Sequence, residues 1–153
     1  MIPVSVDPTS EGARRLIALS DAYLEALYPP ESNHFESPEA LAQPHARFIG
    51  LYEGGELIAC GGVKLLEDDG RYGELKRVYV QPTHRGHGYG RVIMTALEAL
   101  LVQEGYFLAR LETGIAQPEA LGLYRAMGYY ERAPFGSYRL DPLSVFMEKR
   151  LDG

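Results

Sequence analysis

The sequence predicts a mixed α/β fold, with a mixed central sheet of about six to seven strands, an antiparallel N-terminal meander and flanking helices. Three observations predict it. Turn signals join three consecutive β-like runs between residues 47 and 80. A glycine at every second position marks residues 86–90, between the last of those runs and an amphipathic helical pattern. Beyond that point strands and helices alternate as β-α-β-α-β. No repeat, low-complexity stretch or linker divides the 153 residues, which suit one domain spanning 1–153.

Ile2 to Val6 alternates and reads as a first strand. Ser10 caps a helix running to about Leu27, with Leu16, Leu19, Tyr23 and Leu27 as its apolar face. The stretch Tyr28 to Phe35 contains Pro29 and Pro30, cannot continue that helix and makes an irregular loop. Ser37-Pro38-Glu39 then opens a short helix, with Ser as N-cap and Pro at the first helical position. Arg47 to Tyr52 and Glu56 to Leu66 are strands joined by Glu53-Gly54-Gly55, and Glu67-Asp68-Asp69-Gly70 turns the chain into the strand Arg71 to Val80.

From Tyr89 to Glu104 the residues Val92, Ile93, Ala96, Leu97, Leu100 and Leu101 recur at helical spacing. Tyr106 to Glu112 is the next strand, and Pro118 to Met127 a helix stopped by Gly128. Tyr129 to Arg132 and Ser144 to Arg150 are the final strands, separated by the Pro/Gly-rich Ala133 to Leu143.

The bulk properties narrow the function. Hydrophobic residues make up 46% and charged residues 24%, the balance of an ordinary soluble globular protein. A formal charge of −6 with no basic stripe argues against nucleic acid and leans towards a cationic or small neutral partner. Cys60 is the only cysteine and sits in the apolar run Leu57-Ile58-Ala59-Cys60-Gly61, so a packed thiol is expected there. Nothing is long enough to cross a membrane and no leader pattern opens the chain, which points to a cytoplasmic protein with no membrane partner. His34, His45, His84 and His87 show no metal-ligand spacing, and no metal is assigned.

The glycine-rich run Arg85-Gly86-His87-Gly88-Tyr89-Gly90-Arg91 lets backbone N–H groups point into one concavity at the positive end of the helix that follows. It is a site for a phosphorylated ligand. A P-loop would need a Gly-Lys-Ser/Thr ending, and this run ends Tyr-Gly-Arg. A dinucleotide fingerprint is the nearer rival. Gly86 and Gly88 match its first two glycines, and Glu112 stands where a ribose-binding acid would. Its third glycine would fall at Arg91, however, Pro82 to Arg85 separate the strand from the first glycine, and hairpins join the strands upstream.

The spacing resembles the GNAT superfamily of acyl-CoA-dependent N-acetyltransferases. The residues that carry the resemblance are the triplet Val78-Tyr79-Val80, the turn Gln81-Pro82-Thr83-His84, and Arg85-Gly86-His87-Gly88-Tyr89-Gly90 opening a helix. A second segment, Leu123-Tyr124-Arg125-Ala126-Met127-Gly128-Tyr129, is similar to the signature that closes the family's late helix. The resemblance runs from Arg47 to Leu151. It implies acetyl-CoA as donor, with its pyrophosphate over the amides of Gly86 to Arg91. It also implies that the pantetheine arm pairs with Val78 and Val80 along a strand splayed from its neighbour. Gln117 stands where relatives often carry an Asn that contacts pantetheine or the late helix. A homodimer is expected by the same analogy.

Acetyl transfer to an amine needs a deprotonated nucleophile, a polarised thioester carbonyl and a proton for the leaving thiolate. The resemblance makes Tyr124 the proton donor. Two carboxylates compete for the base. Glu74 lies four residues before Val78, where some members carry a glutamate base, and is the first choice; Glu112 matches the glutamate that others place near the acceptor amine. Even spacing would put Glu74, Lys76, Val78 and Val80 on one strand face unless a bulge intervenes. The acceptor pocket is expected from Tyr28, Glu31, Asn33, His34 and Phe35, joined by residues of Ala133 to Tyr138. A small-molecule amine such as an amino acid, a polyamine or an amine-bearing antibiotic fits this reading. A non-catalytic CoA sensor and a protein N-terminal or lysine acetyltransferase are its alternatives.

Overall fold

Seven strands form one mixed sheet in the computed structural model, which describes residues 1–152. They are β1 (Val4–Ser5), β2 (Ala46–Glu53), β3 (Glu56–Leu66), β4 (Tyr72–Val80), β5 (Leu108–Gly114), β6 (Tyr130–Arg132) and β7 (Ser144–Arg150). Across the sheet the order is β1-β2-β3-β4-β5-β7-β6, with β4 and β5 parallel and every other pair antiparallel. Four α-helices flank it: α1 (Glu11–Leu27), α2 (Pro38–Leu41), α3 (Tyr89–Gln103) and α4 (Pro118–Ala126). None is long and apolar enough to cross a membrane, among the described residues.

The ends of the elements follow their local chemistry. The Ser10 and Ser37 side chains accept from Ala13 and Ala40 amides at the starts of α1 and α2. Gly128, at φ 97°, ends α4, with the Tyr129 amide returning to the Tyr124 carbonyl at 3.0 Å. The same device shortens a predicted strand. Gly105 ends α3 and the Tyr106 amide bonds the Leu101 carbonyl at 2.8 Å, so β5 starts at Leu108 and not at Tyr106. β1 keeps only two of its five expected residues.

Each face of the sheet carries a core. Leu16, Ile17, Leu41, Phe48, Cys60 and Tyr79 fill the α1–α2 side. Leu75, Ile93, Met94, Leu97, Leu111 and Met147 fill the α3–α4 side. The face of α1 differs from the expected one. Ala13, Leu16, Ile17 and Ser20 are buried, while Leu19 and Leu27 are exposed. The small residues Ala13 and Ser20 let the helix approach the sheet along that stripe, which leaves Leu19 on its rim and Leu27 in the solvated last turn. Cys60 is fully buried, and desolvation pushes its thiol up to about 12, as suits a packed residue.

Two features of β4 position the site. The first is a bulge: Gly62 faces Lys76 and Cys60 faces Tyr79, so Arg77 and Val78 together oppose Gly61. Arg77 takes φ 57°, a conformation that costs an L-residue about 1–2 kcal/mol. Its buried guanidinium holds it there by pairing with Asp21 of α1 and donating to the Glu36 carbonyl at 3.1 Å. The bulge overturns the expected alignment of Glu74, Lys76, Val78 and Val80. Glu74 and Lys76 share the α1 side with Tyr79, whereas Val78 and Val80 pack against the α3 core.

The second feature is a splay. β4 and β5 share only the pairs Gly73↔Ala109 and Glu74↔Arg110, although β4 continues to Val80 and β5 to Gly114. Past Glu74 the two strands diverge and leave facing backbone groups unpaired with each other, open to another hydrogen-bonding partner.

Candidate active site

The opening between β4 and β5 holds two connected hollows. On the α3–α4 side a groove of about 500 Å³ is lined by Val78, Tyr79 and Val80 of β4, by Arg85, Gly86, Gly88, Tyr89 and Gly90, and by Gln117, Leu123 and Tyr124. Gly86 and Gly88 have φ of 84° and 78°, with open space where a Cβ would stand. Gly88 is the N-cap of α3, and the first intrahelical bond runs from the Val92 amide to the Gly88 carbonyl at 3.2 Å. The amides of Tyr89, Gly90 and Arg91 therefore have no intrahelical acceptor and form, with the helix dipole, a cradle for an anion. Gly90 serves packing, because a Cβ there would lie 3.2 Å from Leu123.

Arg85 donates from Nε to the Val80 carbonyl at 3.1 Å, and its guanidinium lies 5.4 Å from the ring centroids of both Tyr23 and Tyr79. His87 and Arg91, expected at the same site, are exposed and contribute no side chain to the groove wall.

Between the strands lies a smaller cavity of about 120 Å³, shared by Tyr28, Asn33, His34, Phe35, Glu112 and Tyr124. Tyr124 and Gln117 line both the groove and this cavity. Burial pushes the Glu112 carboxyl up to about 7; the nearby Ser144 hydroxyl and Lys76 ammonium pull it down, and the Glu74 and Asp141 carboxylates push it up. Burial, with the Glu112 charge beside it, also pushes the Tyr124 hydroxyl up to about 12. Tyr28 is held by two bonds, donating to Gln117 Oε1 at 3.2 Å and accepting from the Ala116 amide at 3.0 Å. Its ring occupies the place where a Cβ on Gly114 would stand.

A third, larger hollow of about 680 Å³ opens on the α1 side of the same wall. It shares His34, Phe35, Glu36 and Lys76 with the inner cavity and adds Glu31, Glu74 and Tyr138. Here the Tyr138 hydroxyl donates to Glu74 at 2.6 Å and accepts from Lys76 at 2.8 Å. Lys76 also donates to the His34 carbonyl, and lies 3.4 Å from Glu74 and 3.9 Å from Glu36. Glu36 in turn meets Lys64 at 3.1 Å. This chain of bonds ties the 28–36 loop to β3, β4 and the 133–143 loop.

The structure thus separates the two candidate bases. Glu112 stands with Tyr124 in the inner cavity, while Glu74 faces the outer one and is held by Tyr138 and Lys76. Of the expected acceptor residues, Tyr28 and Asn33 line the inner cavity, Glu31 the outer, and His34 and Phe35 both. Tyr23, Glu36, Lys76 and Asp141 are wall residues that the sequence did not single out for this role. Lys76 had a signal, since it shares strand parity with Glu74; Asp141 had none, because a loop contact 109 residues distant from Ser32 leaves no pattern.

A sequence profile described as the acetyltransferase (GNAT) family matches residues 14–129. An IAA acetyltransferase of Azospirillum brasilense is 42% identical over 144 residues, covering 94% of each chain. Among solved structures, a Klebsiella pneumoniae protein assigned to the acyl-CoA N-acyltransferases superposes with a TM-score of 0.81 at 38% identity, covering 97% of this chain and 96% of its own. A PaiA N-acetyltransferase of Thermoplasma acidophilum in complex with coenzyme A has the same fold, with a TM-score of 0.73 at 18% identity over 98% of this chain and 99% of its own.

Proposed function

The chain belongs to the acetyltransferase (GNAT) family, and from that premise we propose that it moves an acetyl group from acetyl-CoA to the amine of a small molecule, by direct attack in a ternary complex. One observation carries the reading: the anion-binding groove and the cavity that holds Glu112 share a wall, and Tyr124, whose hydroxyl feels the Glu112 charge, lines both. Donor thioester and acceptor amine would meet at that residue. The name of the Azospirillum relative supports acetyl as the group transferred.

Acetyl-CoA supplies the thioester, and the open cradle at Gly86 and Gly88 with the free amides of Tyr89 to Arg91 fits its pyrophosphate. Val78 and Val80 offer backbone groups on the splayed edge to the pantetheine amides, with Gln117 at the far wall. The Val80 carbonyl already accepts from Arg85 Nε, which leaves its second lone pair for that contact.

Glu112 is the base we assign, in preference to Glu74. Its carboxyl, pushed up to about 7 by burial, is a stronger base than an exposed carboxylate and suited to take a proton from an incoming ammonium. The neutral amine then forms the C–N bond and the C–S bond breaks as Tyr124 gives its hydroxyl proton to the departing sulfur. The proton shed by the new amide nitrogen restores the Tyr124 hydroxyl, and Glu112 releases its proton to solvent. At about 12 the Tyr124 hydroxyl is a weaker acid than an exposed phenol, so its proton moves only as the C–S bond breaks and negative charge develops on sulfur.

The test is thiol release from acetyl-CoA across a panel of amines. Turnover with at least one amine is expected, lost in Tyr124→Phe while CoA binding, read by calorimetry, persists. CoA binding without transfer to any amine would replace the enzyme by a CoA sensor.

A further inference from the structure

The outer cavity belongs to no step of that chemistry, yet it adjoins the inner one and is larger by several-fold. The inner cavity, at about 120 Å³, is the smaller of the two, and the part of a longer acceptor that it does not hold lies outside it. The shared wall of His34, Phe35, Glu36 and Lys76 leads into the outer cavity of about 680 Å³.

The charges of that outer cavity are unbalanced. Lys64 and Lys76 are neutralised by Glu36 and Glu74 in the ion pairs described above. Three further carboxylates on the wall, Glu31, Asp68 and Asp141, have no cationic partner among the described residues, and Arg139 is the one cation on the wall without a carboxylate. The cavity therefore carries two negative charges in excess. Asp141 accepts from the Ser32 hydroxyl at 2.6 Å and the Leu143 amide at 2.9 Å, which lower its pKa and keep it ionised. His34 adds no positive charge at neutral pH, because burial first and Lys76 second depress its pKa. The half-buried ring of Tyr138 also lies on the wall, an aromatic surface of the kind that tolerates an ammonium and its methylene chain.

We infer that the outer cavity is a subsite for the acceptor's distal end and that it selects a second cationic group, which makes the acceptor a diamine or polyamine in chemical class. The inference rests on the acetyl-transfer reading for the placement of the reacting amine. A monoamine, or an amino acid whose side chain is neutral, offers the excess carboxylates no counter-charge, and an acceptor with a distal carboxylate is repelled.

Three probes with the same reacting end and chain separate these cases: 1,4-diaminobutane, butylamine and 4-aminobutanoate, titrated calorimetrically into the full protein saturated with CoA. The diamine should bind about two- to fivefold more tightly than butylamine, as ion pairing with solvent-accessible carboxylates allows, and 4-aminobutanoate most weakly. In Glu31→Gln and in Asp141→Asn the ratio of diamine to butylamine affinity should fall towards one. A diamine that binds no better than butylamine overturns the inference, as does an advantage that survives in both variants. Failure of the acetyl-transfer reading looks different: the diamine binds with its advantage intact, and no amine releases thiol.

Discussion

The two walls of the β4–β5 opening are built on different principles. The donor wall is local. Its cradle comes from six consecutive residues, Gly86 to Arg91, and its rail from the three residues Val78 to Val80. The acceptor wall is assembled from a distance. Loop 28–36, β3, β4, β5 and loop 133–143 all contribute side chains, tied together by the Glu74–Tyr138–Lys76–Glu36–Lys64 chain. A wall made of backbone binds what is common to a family of ligands. A wall made of distant side chains can be changed one residue at a time, and so can distinguish acceptors.

That contrast can be broken most directly at the two glutamates. Glu112→Gln should lower kcat/KM about 100-fold or more and remove the rise of activity with pH through about 7, whereas Glu74→Gln should keep that rise. Comparable losses and profiles in steady-state kinetics would return Glu74 to the role of base. The same Glu112→Gln change has a second signature. Because the folded carboxyl sits above its ordinary 4.5, the folded state holds a proton that the unfolded state gives up, and stability falls as pH rises from about 4.5 to 7. The substitution should therefore raise stability at pH 8, by no more than about 3 kcal/mol, and leave it unchanged at pH 4, as urea titrations at both values would read.

A smaller effect is expected on the donor wall. Gly88→Val forces a branched residue to φ 78° and places carbon over the cradle, so the dissociation constant for CoA should rise about tenfold or more. Amine binding should not change, and a parallel loss of both would mean that the walls are not independent. The smallest change is Tyr138→Phe, which removes one hydroxyl shared by Glu74 and Lys76. It should cost about 1–3 kcal/mol of stability in urea unfolding while CoA affinity stays at the original value.

Most of the fold was legible because it rests on short-range rules. Hairpin glycines, serine caps and the periodicity of Val92 to Leu101 located the elements to within a few residues. The errors came where one local signal outcompeted another. Gly105 captured Tyr106 for the end of α3, and the Ala13–Ser20 stripe of α1 displaced Leu19 from the core. The bulge at Arg77 left no mark of its own in the sequence, since a buried arginine at positive φ is held by Asp21 and Glu36, residues far along the chain. By shifting the parity of β4 it also decided which neighbours Glu74 would have.

By itself the sequence determined the antiparallel order β2-β3-β4, the glycine-rich start of α3 and the family, because each is written in contiguous residues whose backbone geometry follows from their type. Only the tertiary structure decided which carboxylate meets Tyr124, and what charge waits beyond it. Those depend on one extra residue in a strand and on loops more than a hundred positions apart, and neither burial nor charge balance in a shared cavity is a property of any one segment.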